Sequence, residues 1–117
     1  MYTVYGIPNC DSVKKALDWF KAHHIAFEFH DYKKKGIAEG QLKKWVRQVG
    51  SDILLNKKST TWRELDEAIK ASIASDADAI QLMRKNTSLI KRPVIEQGNK
   101  VIEVGFDEAS YITSFGS

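Results

Sequence analysis

The chain has 117 residues, 43% of them apolar, with a formal charge of +3, three His and a single Cys. That length and apolar content suit one domain with one core, residues 1–117, while no apolar run nears the ~20 residues a membrane span needs. One cysteine rules out an intramolecular disulfide, His23, His24 and His30 have no cysteine cluster to complete a zinc site, and so modest a positive charge does not indicate nucleic-acid binding. With no signal-peptide pattern at Met1–Phe20, the chain is expected to be cytosolic.

Tyr2 to Tyr5 is a β-branched and aromatic run bounded by Gly6 and Pro8, and predicts a strand. From Val13 the spacing turns helical, with Val13, Ala16, Leu17 and Phe20 on one face. Ala26 to Asp31 alternates apolar and polar and predicts a second strand, parallel to the first in a βαβ unit. Lys33 to Gly36 reads as a loop, followed by an amphipathic helix carrying Leu42, Trp45, Val46 and Val49 and ending at Gly50.

The middle reads as a helical insertion over about residues 38–88. Within it, Thr61-Trp-Arg-Glu64 has the form of a capping box opening a helix through Leu65 and Ile69. Ser75 or Asp76 is placed to cap another helix, through Ile80 and Met83 to about Asn86. Leu89–Ile95 and Val101–Val104 form a hairpin about Gly98-Asn99, and Asp107 caps a last helix carrying Ala109, Ile112 and Phe115. The order βαβ, helical insertion, ββα predicts an α/β fold of thioredoxin-like type, with a mixed four-stranded sheet.

Asn9, Cys10 and Asp11 stand at the start of the first helix, where unpaired N–H groups and the helix dipole favour negative charge. A thiol there is favoured as thiolate, the reactive form. From the residues alone Cys10 is either such a nucleophile or an inert small hydrophobe. On the residues alone Arg92 reads as a surface or salt-bridged cation and Pro93 as an ordinary proline at the start of a strand.

Four segments carry a resemblance: Val4-Tyr-Gly-Ile-Pro-Asn-Cys10, Phe29-His-Asp-Tyr32, Leu54 to Arg63, and Ile90-Lys-Arg-Pro93 continuing to Val104-Gly-Phe106. Together they resemble the arsenate reductase-related (ArsC) family across nearly the full length, with the YffB-like branch nearest and Spx-like proteins related. The resemblance implies that Cys10 is the nucleophile and Arg92 the arginine near its thiolate. It also implies that Pro93 is the cis-proline that shapes a groove for an extended thiol substrate. Asn9 would support the thiolate, and Lys58, with Lys57, would attract a carboxylate of glutathione.

The departures bear on the substrate. Arsenate reductases of the family surround the oxyanion with three arginines, and here two of those positions fall on Asn56 and about Gly105, leaving Arg92. A two-cysteine motif would need cysteine at Val13, and a phosphatase loop would need arginine at Ala16. The resemblance therefore implies a monothiol oxidoreductase with no bound cofactor or metal and glutathione as co-substrate. Its other substrate is an unidentified thiol, disulfide or oxyanion, and neither membrane nor nucleic acid is a direct partner. The alternatives are an Spx-like binding module contacting RNA polymerase, and an arsenate reductase proper, which Asn56 and Gly105 disfavour.

Overall fold

A computed structural model describes residues 1–116. In chain order the elements are β1 (Tyr2–Gly6), α1 (Asp11–Ala22), β2 (Phe27–Asp31), α2 (Tyr32–Lys35), α3 (Glu39–Val49), α4 (Ser51–Leu54), α5 (Thr60–Arg63), α6 (Glu67–Ala71) and α7 (Asp76–Lys85). A 3-10 turn at Thr87–Leu89 leads to β3 (Val94–Gln97), β4 (Lys100–Val104) and α8 (Glu108–Phe115). The chain divides into two compact units, Met1–Lys35 with Arg92 onward, and Gly36–Lys91.

The first unit holds a four-stranded sheet in the order β2-β1-β3-β4. β1 and β2 are parallel, while β3 is antiparallel to both β1 and β4. This is the mixed sheet expected from the order of elements, because a βαβ crossover makes a parallel pair and a tight turn an antiparallel one. Side chains alternate across a strand, so Tyr2 and Val4 share a face with Phe27 and Phe29. On that face Val4 and Ile95 pack with Ala16, Trp19 and Phe20 of α1 and Tyr111 of α8. Phe20 is wholly buried and meets Tyr2, Phe27 and Phe115 edge to face at 5.7, 5.6 and 4.9 Å. Burial of such a side chain stabilises the fold by about 1.5–3 kcal/mol, which fixes α1 against the sheet.

Gly6 marks the tightest part of that packing. A Cβ on Gly6 would lie 2.7 Å from Val13 Cγ2, so the end of β1 and the first turn of α1 approach as only glycine permits. In α8 the structure corrects the expected inward face. Ala109 and Ile112 are exposed, and Tyr111 takes the inward face beside Phe115, which packs on the core as expected. The Tyr111 hydroxyl donates to Gly105 O at 2.6 Å, which lets a polar aromatic lie buried. Asp107 caps α8 as expected, its Oδ1 accepting from Ala109 N and Ser110 N at 3.1 and 3.4 Å.

In the second unit α3 packs on α7, burying Leu42, Trp45 and Val46 with Ala79, Ile80, Leu82 and Met83. Ser75 is the cap of α7, accepting from Asp78 N at 3.3 Å. Three boundaries differ from expectation. Ser59, and not Thr61, caps the helix before Trp62, accepting from Trp62 N at 3.2 Å, and that helix stops at Arg63 before a separate α6 begins. The Leu89–Ile95 run is a strand only from Val94. Ile90 instead makes an isolated antiparallel bridge with Leu55, closed by Asn56 N to Leu89 O and Lys91 N to Leu54 O, both 2.7 Å. Pro93, which lacks an N–H to donate, separates that bridge from β3. Finally, Tyr32–Lys35 is a helical turn where the sequence suggested a loop from Lys33.

Candidate functional site

Cys10 is the N-cap of α1, with extended backbone at φ −107° and ψ 128°. Its carbonyl accepts the first intrahelical bond, from Lys14 N at 3.0 Å, and its own N–H closes a turn onto Ile7 O at 3.3 Å. Its side chain does not cap the helix, and the residue is partly exposed. A thiol so placed is accessible and lies beside the unbonded N–H groups of the first turn. Asn9 beside it is exposed.

The strand register determines what meets Cys10. Gly6, the last residue of β1, pairs with Asp31, the last of β2, so the Cys10 loop and Tyr32 leave the sheet at one end. Val94, the first residue of antiparallel β3, pairs with Tyr5, which brings Arg92 and Pro93 to the same end. The Arg92–Pro93 bond is cis, and Pro93 is buried with its carbonyl accepting from Gly105 N at 2.7 Å.

Arg92 is half-buried, with Nε out of solvent, and its guanidinium is hydrogen-bonded to the side chain of Tyr32. Arginine only donates, so the phenol oxygen accepts. Tyr32 is fully buried and its phenol is pushed up to about 12, chiefly by burial. The Arg92 charge acts in the opposite direction, and the charges of Cys10 and Asp31 add to the rise. Tyr32 thus feels the charges of both Arg92 and Cys10.

Of the residues singled out in the sequence, Asn9, Cys10, Arg92 and Pro93 belong to this end of the sheet in the first unit. Lys58 belongs to the second unit. There it is exposed and borders a cavity of about 300 Å³ with Asn56, Lys57 and Lys91. Asn56 has a local task of its own, since its Oδ1 accepts from Lys58 N at 3.2 Å and its carbonyl accepts from Ser59 Oγ at 2.8 Å. Lys57 Nζ lies 5.8 Å from the centre of the Trp62 ring, a cation–π distance. Gly105 has φ +86°, where an arginine would be strained. The two missing arginines therefore correspond to positions with structural tasks of a different kind.

Tyr32 was not singled out as a site residue from the sequence. The available signal was an aromatic directly after the Asp31 end of a strand and directly before three lysines, an arrangement in which one side chain turns in and the next ones out.

A profile of the ArsC family matches residues 5–113. An uncharacterised protein of Haemophilus influenzae is 46% identical over 98% of this chain and 99% of its own length. The global transcriptional regulator Spx of Streptococcus mutans is 30% identical over 92% of this chain and 78% of its own. Among solved structures, the YffB protein superposes with a TM-score of 0.91 and 44% identity, covering 97% of this chain and 98% of that one. The fold is α/β and thioredoxin-like, as the order of elements implied. By sequence along nearly its whole length, and by structure, the chain belongs to the ArsC family of arsenate reductase-related proteins.

Proposed function

We propose that this protein is a cytosolic, glutathione-dependent thiol oxidoreductase with Cys10 as its single nucleophile. The observation that supports the reading is an accessible cysteine at a helix N-terminus, at the same end of the sheet from which Arg92 leads into β3. A guanidinium close to a thiol favours the thiolate.

In the reaction the Cys10 thiolate attacks the glutathione sulfur of a mixed disulfide. The disulfide S–S bond breaks, the substrate leaves with its own sulfur as a thiolate, and Cys10 becomes disulfide-bonded to glutathione. A second glutathione thiolate then attacks that disulfide, releasing glutathione disulfide and restoring the Cys10 thiolate. Two electrons pass from glutathione to the substrate. The resolving thiol comes from outside, because Val13 stands where a second cysteine of the chain would. Asn9 and the helix N-terminus support the thiolate, and Pro93 walls the substrate groove. In the second unit Lys58, with Lys57 and Lys91, offers positive charge suited to a glutathione carboxylate.

The test is glutathione-coupled reduction of a small mixed disulfide, followed by the glutathione disulfide formed. Turnover by the native chain and its loss in Cys10→Ser supports the reading, whereas equal turnover by the two ends it.

A second reading is a regulatory binding module that contacts RNA polymerase, favoured by the 30% identity to Spx. Capture of polymerase by the native chain, undiminished in Cys10→Ser, would establish it. Arsenate reduction is the weaker reading, with Asn56 and Gly105 in place of two arginines.

A further inference from the structure

Tyr32 is fully buried, yet its hydroxyl is engaged by Arg92. Filling the same volume needs only a phenyl ring, and a buried hydroxyl destabilises unless it finds partners. The chain also fixes this side chain from below. Asp31 Oδ1 accepts from Lys33 N at 3.0 Å and Lys34 N at 3.3 Å, closing the turn that starts α2 directly after β2. Tyr32 is thereby held inward while Lys33, Lys34 and Lys35 remain exposed.

The sheet order places β1 between β2 and β3. Tyr32 follows β2 and Arg92 precedes β3, so their hydrogen bond links the two strands on either side of the one that leads to Cys10. Arginine has many rotamers, and a fixed acceptor selects among them. A phenol is protonated at neutral pH, so it accepts from Arg92 without adding a negative charge that would compete for it. Its remaining O–H is a donor.

We propose that Tyr32 is a positioning residue, which by accepting from Arg92 holds the guanidinium where it favours the Cys10 thiolate. The inference rests on the reading of Cys10 as nucleophile. It adds a residue whose influence on the thiol passes through Arg92.

The experiment measures the rate of Cys10 alkylation by iodoacetamide against pH in the native chain, Tyr32→Phe, Arg92→Ala and the double variant. Tyr32→Phe is expected to slow alkylation at neutral pH by about fivefold. In mild alkali, where an ordinary thiol is ionised, its rate should equal the native rate. In the Arg92→Ala background the same change should slow alkylation no further, since its route is already gone. Native rates for Tyr32→Phe beside slowed Arg92→Ala would overturn the inference alone, as would losses that multiply in the double variant. Native rates for Arg92→Ala as well would overturn the reading of Cys10 beneath it. If Tyr32→Phe does not fold, Asp31→Ala, which loosens the turn under Tyr32, serves instead. A slowed neutral rate supports the proposal and a native one refutes it.

Discussion

The Arg92 guanidinium donates a hydrogen bond to the phenol oxygen of Tyr32, and Tyr32 lies wholly out of solvent. The two residues belong to opposite ends of the chain and meet because β1, central in this part of the sheet, pairs with β2 on one side and β3 on the other. The loop that carries Cys10 leaves the end of β1 between them. Sheet topology thus assembles the surroundings of the thiol, while α1 supplies its position at a helix N-terminus.

Replacement of Gly6 by alanine is expected to destabilise the protein by about 1–3 kcal/mol, because its new Cβ would press on buried Val13. The approach in question joins β1 to the first turn of α1, so glutathione-coupled turnover should fall too. Urea unfolding and turnover of Gly6→Ala test this together, and native values for both would show that the helix shifts at little cost.

Alkaline stability follows from Tyr32. Its phenol titrates near 10 when unfolded and is pushed up to about 12 when folded. The folded state therefore holds the proton more tightly, and the stability this contributes is complete below pH ~10 and lost as pH rises through about 12. The loss is on the order of 2–3 kcal/mol. Unfolding midpoints between pH ~8 and ~11 should fall for the native chain and fall less for Tyr32→Phe. Parallel declines in the two would assign the alkaline loss to other groups, such as Tyr5, whose phenol is also pushed up to about 12 by burial and Glu96.

The capping-box pattern assigns the helix cap to Thr61, and the structure gives it to Ser59. Ser59→Ala should destabilise the protein by about 1 kcal/mol, whereas Thr61→Ala should have little effect. Urea midpoints of the two variants decide, and a larger loss for Thr61→Ala would place the cap where the capping-box pattern does.

Much of the fold is legible in the sequence because each element carries its own local signal. The change from strand to helical spacing around Cys10, the Gly98-Asn99 turn, and the caps at Ser75 and Asp107 are all decided within a few residues. Where signals compete, tertiary context decides. In the Ser-Thr-Thr run several residues suit a cap, and Ile90, apolar and next to a strand, is drawn into a bridge with Leu55 that no local pattern announces. Ile112 has the composition of a core residue but is 44% exposed, because Tyr111 has a carbonyl to bond and takes the inward face.

The candidate site divides in the same way. Cys10 is legible from its place at the switch from strand to helix, and Arg92 and Pro93 only through the family resemblance. Tyr32 is not legible as a partner of Arg92, because the contact joins residues distant in sequence through the register of three strands. Asn56 and Gly105 are visible in the sequence only as absent arginines, and their own tasks, a turn acceptor and a left-handed backbone, emerge in the folded chain.

The central claim is that Cys10 is an Arg92-assisted nucleophile in exchange with glutathione. The most direct measurement is the rate at which Cys10 forms a mixed disulfide with glutathione disulfide at neutral pH, followed by mass spectrometry in native protein and Arg92→Ala. The account predicts that the adduct forms on native Cys10, that it forms several-fold more slowly in the variant, and that added glutathione removes it. Equal rates in the two proteins, or an adduct that glutathione does not remove, would contradict it.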